Sequence, residues 1–312
     1  MEILLDIVVP VFGIVGLGYG AVRLGWFSAE ATKGLSRFVF NFAIPALLFR
    51  TMATTELPEV IAWGYLISYY GGGYLVWILA SLIGRFGFRQ TGAEPALAGM
   101  TAAFSNTVLL GVPLVLTTFG EAATLPLFLI IACHSWQLLS VVTVQAEIGL
   151  GARNEMRHLP VNVLKSLTSN PIILALLGGV LFNLVGFELP KIADTLTETL
   201  GRAALPCAVF AMGASIAGYR VMGAIGPAST GVMLKLVAHP LFVWLLATHV
   251  FTVDPLWRDV AVILAALPVG VNVYLMAERY QSGIAPAATA ILISTGLSFA
   301  TVTGVLALLQ VR

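Results

Sequence analysis

The chain alternates long apolar stretches with short polar connections, and the apolar stretches return at roughly 20 residues, the helix length that crosses about 30 Å of hydrocarbon. Ten such spans are read, near 3–24, 34–53, 59–84, 95–119, 122–146, 168–187, 195–217, 224–251, 257–279 and 284–310. Their apolar runs are continuous rather than alternating, which excludes a transmembrane β-barrel. The fourth and ninth spans are interrupted near their middles by helix-breaking residues. The fourth reads Ser105-Asn106-Thr107-Val108-Leu109-Leu110-Gly111-Val112-Pro113, and the ninth reads Pro268-Val269-Gly270-Val271-Asn272. In lipid a broken helix leaves backbone N–H and C=O groups unpaired, which is tolerated only where protein or a cavity covers them. Breaks at matching places in the two halves of a chain point to a transporter's substrate site.

Composition supports the same class. With 59% hydrophobic and 10% charged residues, the chain has too few polar side chains to cover a soluble globule of 312 residues. The expectation is an all-α polytopic membrane protein with ten transmembrane helices, embedded in the lipid bilayer of the cell membrane. The longest connection, about 147–167, leaves no room for a soluble domain. The sequence begins Met1-Glu2-Ile3, without the basic n-region of a signal peptide, so the first span is expected to be retained. Cys133 and Cys207 fall inside spans and read as small apolar packing residues. A net charge of +1 gives no case for nucleic acid, and no motif asks for a cofactor. Placing the N-terminus outside puts ten basic residues on the cytoplasmic side and five outside, which favours both termini outside and the 147–167 loop inside.

The halves repeat. Adding 161 carries Pro10 to Pro171, Gly18 to Gly179, Gly25 to Gly186 and Pro45 to Pro206, and Gly111 reaches Gly270 at an offset of 159. Five spans is an odd number, so the second copy enters from the opposite side and the expectation is an inverted 5+5 repeat, 1–150 and 168–312 around a loop at 151–167.

Where two broken helices cross, half-helix N-termini offer N–H groups with partial positive charge and half-helix C-termini offer carbonyls. Such a crossing binds a carboxylate without a charged side chain. Asn106 and Asn272 lie beside the breaks. Each amide either donates to the anion or caps its own helix. Pro113 and Pro268 read as backbone devices, and Gly111 and Gly270 complete the candidate substrate site. Ionisable residues within spans are functional candidates. Lys235 and His239, four apart in the eighth span, share a face; His134 lies in the fifth. Three roles are open to Lys235: neutralising carbonyl ends, attracting the anion, or snorkelling. For the histidines the choice is between hydrogen-bonded packing and carrying protons. Arg50 reads as an interface anchor or a gate. No Asp or Glu lies mid-span in the fourth, fifth, ninth or tenth spans, which argues against cation antiport. Carbonyls together with Ser294, Thr295 or Ser298 remain a possible sodium site.

Val9-Pro10, Arg37-Phe38-Val39-Phe40-Asn41-Phe42-Ala43-Ile44-Pro45, Ser105-Asn106-Thr107 through Gly111-Val112-Pro113-Leu114, and Leu267-Pro268-Val269-Gly270-Val271-Asn272 through Ala277-Glu278-Arg279-Tyr280 resemble the auxin efflux carrier family. The similarity is to its bacterial branch, which includes malonate- and malate-permease-like carriers related to the plant PIN transporters. The resemblance implies a fold of the sodium/proton-antiporter type with spans 4 and 9 crossing at their breaks. It also implies a scaffold of spans 1, 2, 6 and 7, a moving transport domain of spans 3–5 and 8–10, elevator-type alternating access and a homodimer. The family's crossing asparagine corresponds to Asn106.

A secondary carrier of small organic anions, malonate- or malate-type acids or indole carboxylates, uses the repeat, the breaks and the missing carboxylates together. A cation-coupled exchanger and a passive anion channel are the competing readings. No metal-ligand cluster or nucleophile–base set suggests an enzyme.

Overall fold

A computed structural model describes residues 2–54, 63–151, 168–219 and 223–309, with isolated positions between 158 and 165. Most of the 147–167 loop, the start of the third span and the last three residues lie outside the described residues. Among the described residues there is no strand, only one isolated bridge between Ser105 and Val269. In chain order the helices are α1 (Glu2–Arg23), α2 (29–54), α3 (Trp63–Gly87), α4 (Glu94–Ala103), α5 (107–119), α6 (Thr124–Leu150), α7 (Pro171–Val185), α8 (Lys191–Ile216), α9 (Ile225–Val250), α10 (Pro255–Ala266), α11 (Asn272–Arg279) and α12 (Ile284–Leu308).

Among the described residues five helical runs are long and apolar enough to cross a membrane: Trp63–Gly87, Thr107–Leu150, Lys191–Ile216, Ile225–Val250 and Ile284–Leu308. The run Thr107–Leu150 is two helices, because Gly120 leaves helical geometry at φ 66°, ψ −157° and reverses the chain between α5 and α6. Two expected spans come as pairs of short helices, α4 with α5 and α10 with α11, separated at 104–106 and 267–271. Helices also begin ahead of the apolar stretches. α2 starts at Ala29, where the Ser28 hydroxyl accepts from the Ala31 N–H at 3.1 Å, and α8 starts at Lys191. Their charged first turns extend past the hydrocarbon. Near the other end of α2, Arg50 pairs with Asp194 in the first turn of α8 at 2.6 Å.

Five wide π-turns occur among the described residues; those at Ile83–Gly87 and Leu246–Val250 close α3 and α9, and the other three, Val39–Ala43 in α2, Thr107–Gly111 in α5 and Leu234–Ala238 in α9, lie ahead of prolines. These three end two residues before Pro45, Pro113 and Pro240. A proline in a helix lacks the N–H and crowds the carbonyl four residues back. Widening the preceding turn by one residue relieves that clash, so the helix shifts phase instead of ending.

Small residues set the packing. α1 lies against α8 where Gly18 meets the backbone at Phe210 and Ala214, and Gly213 meets the backbone at Val15 and Tyr19. α2 lies against α7 in the same way, since a Cβ on Gly179 would stand 2.7 Å from the Phe49 carbonyl. α8 also contacts α2, closing a four-helix group. A second group packs α3 on α4 and α9, and α12 on α9 and α10. α5 and α12 contact α1, and α5 also contacts α8. In the Gly16-x-x-x-Gly20 pattern neither glycine has a neighbour within 4 Å, so the α1–α8 contact does not run through it.

Overpacking separates the two kinds of glycine. Gly213→Leu is expected to destabilise the protein by about 1–3 kcal/mol, while Gly16→Leu leaves the unfolding midpoint near the parent's. Thermal unfolding of both variants in the same detergent checks this, and equal shifts would contradict the assigned contacts.

Candidate functional site

Sterics dictate the shape of the second break. Leu267 precedes a proline and is therefore pushed out of the helical region, to φ −65°, ψ 155°. α10 ends there. Phe104 leaves α4 in a similar extended state, φ −79°, ψ 107°. The two extended segments then lie antiparallel: the Gly270 N–H donates to the Phe104 carbonyl at 2.9 Å and the Asn106 N–H to the Pro268 carbonyl at 3.0 Å. Pro268 has no N–H and serves as an acceptor only. Gly270 is required by closeness, because a Cβ would stand 2.7 Å from the Phe104 ring.

The crossing leaves further backbone groups to satisfy, and side chains reach in from behind. The Ser105 N–H donates to His134 Nε2 of α6 at 3.1 Å, and the Val269 N–H donates to Ser294 Oγ of α12 at 3.1 Å. His134 therefore accepts at Nε2 and carries its proton at Nδ1 when neutral. Lys235 of α9 donates to the Ala265 carbonyl near the end of α10, with its Nζ 3.2 Å from His239 Nδ1. Tyr69 of α3 stands between the histidines, 5.9 Å from the His134 ring and 5.5 Å from the His239 ring, with its hydroxyl 3.3 Å from Ser105 Oγ. Lys235 is 0% exposed, and its Nζ turns inward to the Ala265 carbonyl.

In front of the breaks is a cavity of about 450 Å³. Its walls include Asn106, Val108 and Leu109 from the first break and Gly270, Val271 and Asn272 from the second. Val108 and Leu109 open α5, and Val271 and Asn272 open α11, so their N–H groups have no carbonyl one turn behind them. Two helix N-termini, each with partial positive charge, thus face one space. The Asn106 amide does not cap α5; its Nδ2 lies 3.5 Å from Met212 Sδ of α8, on the cavity wall. Asn272 is half-buried on the same wall, at the first position of α11, with Val271 at the N-cap. No Asp, Glu, Lys or Arg lines the cavity among the described residues.

The sequence-derived candidates therefore divide. Asn106, Gly270 and Asn272 line the cavity. Gly111, Pro113 and Pro268 do not: Gly111 packs in the π-turn with Leu264 2.9 Å from a Cβ position, Pro113 follows that turn, and Pro268 lends its carbonyl to the crossing. His134, Lys235 and His239 form a layer behind the breaks. The hydroxyls of Ser294, Thr295 and Ser298 donate within α12, to the Ile291, Ile291 and Thr295 carbonyls respectively. Tyr69, Ser135, Asn170 and Ser215 escaped the sequence reading, because single polar or aromatic residues in spans carry no periodic signal.

Comparison with known proteins places this geometry. The family described as membrane transport protein matches residues 3–306. The chain is 33% identical over 306 residues to the Rhizobium meliloti protein named "Putative malonate transporter", covering 97% of this chain and 95% of that one. It is 25% identical over 326 residues to auxin efflux carrier component 8 of Arabidopsis thaliana, covering 88% of each. Over 225 residues it is 28% identical to the lysosomal cholesterol signaling protein of Mus musculus, covering 66% of this chain and 25% of that protein.

His134→Ala is expected to strip the Ser105 N–H of its buried acceptor at a cost of about 1–3 kcal/mol in stability. His134→Gln, which can still present an acceptor, recovers part of it. Thermal unfolding of both variants checks the assignment; an unchanged His134→Ala midpoint contradicts it.

Proposed function

The chain belongs to the membrane transport protein family, and from that premise we propose that it is a secondary carrier of small organic anions whose carboxylate docks in the cavity at the crossed breaks. The observation that carries this reading is the convergence of two helix N-termini and the Asn106 amide on a cavity wall without a carboxylate. Dipoles of that sign favour an anion. The name of the Rhizobium relative points to a short dicarboxylate, for which the cavity has ample room.

In this reading α1, α2, α7 and α8 form a scaffold, and the remaining helices form a transport domain that carries the site past it in an elevator movement. The pairwise packing of α1 on α8, α2 on α7 and α8 on α2 supports the division. An inverted repeat is supported by chemistry at matched positions. Val269 follows Ser105 by 164 residues and Ser294 follows His134 by 160, and each pair makes the same bond from a broken backbone to the fifth span of its half. Ser36 near the start of α2 and Asn170 ahead of α7 line the cavity. The cavity thus opens toward the connection between α6 and α7, the cytoplasmic side when both termini face outward. A second copy of the chain would pack on the scaffold, where Gly16 and Gly20 leave α1 uncovered.

Asn106→Ala removes a donor to a desolvated anion, and bonds to charged groups are worth roughly 1.5–3 kcal/mol, or about ten- to a hundredfold in affinity. Asn106→Asp is expected to bind more weakly still, because it sets negative charge against the ligand. Calorimetric titration of malonate into folded protein checks both, and parental affinity in the two variants moves the site elsewhere. Saturable malonate counterflow in proteoliposomes separates a carrier from a channel.

The topology is tested by single cysteines at Lys33 and Glu188 in a background lacking Cys133 and Cys207. Impermeant reagents are expected to label Glu188→Cys from outside and Lys33→Cys only from the cytoplasm. Labelling of both from one side contradicts the arrangement.

A further inference from the structure

Behind the crossed breaks is a buried lysine that does not line the cavity. Lys235 is fully buried in the π-turn Leu234–Ala238 of α9, ahead of Pro240. Its ammonium donates to the carbonyl of Ala265, the second-to-last residue of α10, and lies 3.2 Å from His239 Nδ1. That carbonyl is one of the four that every helix end leaves without an N–H partner, and it carries the negative end of the helix dipole. Around this point α3 presents Tyr69 and Gly73 to His239, α6 brings His134, and α12 brings Ser294 to the neighbouring break. Lys235 forms no ion pair among the described residues.

Burying an ammonium without a carboxylate is costly, so a compensating partner is needed. The carbonyl end of α10 supplies part of that compensation. In carriers built on broken helices, freed carbonyls and half-helix C-termini are where a coupling cation is held. Here one such carbonyl is already engaged by Nζ, and the nearby hydroxyls of Ser294, Thr295 and Ser298 are bonded to their own helix. We propose that Lys235 is a tethered co-cation: its ammonium occupies the carbonyl site where a dissolved alkali ion would sit, so the anion is held without Na⁺ beside it. By cancelling the negative end of α10, it leaves the positive ends of α5 and α11 to set the field in the cavity. Lys235 is a positioning residue for the field and not a ligand of the anion.

The inference rests on the anion-carrier reading, and the test has two arms that fail separately. In the first, malonate affinity of the full chain is measured in sodium, potassium and N-methylglucamine chloride. The parent is expected to bind equally in all three, and Lys235→Met to bind about tenfold more weakly in each. In the second, Lys235→Ala is heated without malonate, in n-propylammonium chloride or in n-propanol. The ammonium, which replaces the deleted stem and charge, is expected to raise the unfolding temperature of this variant by a few degrees; propanol and the parent show no such rise. If Lys235→Ala is recovered folded only when extracted with propylammonium, that rescue supports the same role. Malonate binding that strengthens several-fold in sodium, a folded Lys235→Met with parental affinity, or propanol acting as well as propylammonium overturns it. Failure of every carboxylate to bind in any buffer sinks the anion-carrier reading, while the propylammonium arm still decides the role of Lys235.

Discussion

Every backbone N–H and C=O inside hydrocarbon needs a partner within the protein, and the two broken spans are where that requirement is hardest to meet. The structure meets it by crossing the breaks, so that Phe104 and Pro268 accept from Gly270 and Asn106. The next groups out are met by side chains: His134 and Ser294 take N–H groups, and Lys235 takes a carbonyl. What remains is a set of N–H groups at the openings of α5 and α11, and these face the cavity. The candidate site is thus the part of the backbone that the fold leaves for a ligand.

This explains why the buried polar residues sit where they do. His134, Lys235, Ser105 and Ser294 are each 0–1% exposed, and each is tied to main chain near a break. Buried polar groups with fixed backbone partners hold one geometry, because any displacement leaves a group unpaired. α3, α6, α9 and α12 are thereby bound to the crossing through side chains as well as through apolar packing. The four-helix group of α1, α2, α7 and α8 is joined by close backbone contact at Gly18, Gly179 and Gly213, by the Asn183 amide on the Met52 carbonyl and by the Arg50–Asp194 pair at one end.

Much of this was legible in the sequence. Apolar length located the helices, and the prolines and glycines around Asn106 and Pro268 located the breaks. Less legible was which residues of each motif would face a ligand. Gly111 and Pro113 lie in the same apolar motif as Asn106, but the π-turn between them changes helical phase and turns them to the packing side. No sequence period reports a π-turn, although a proline two residues beyond it in three helices offers a usable local cue. The charged first turns of α2 and α8 were missed for a simpler reason. Hydropathy marks where the hydrocarbon ends, whereas a helix ends where its capping and backbone geometry end it.

The choice of dipoles over side-chain charge at the cavity has a consequence for turnover. An arginine or lysine set against a carboxylate in a dehydrated pocket would form a strong pair, and separating it would leave a buried charge uncompensated. A carrier must release its ligand on the far side, so the binding field has to be sufficient for capture and weak enough for escape. Two helix N-termini and one or two amides supply partial charges that are fixed in direction by the crossing. Lys235 lies behind the breaks, where its Nζ is engaged by the Ala265 carbonyl. In the proposed carrier, a protonated Lys235 would favour an anion in the cavity without offering it a salt bridge to break. The same crossing that satisfies the broken backbone therefore also sets the strength of the site.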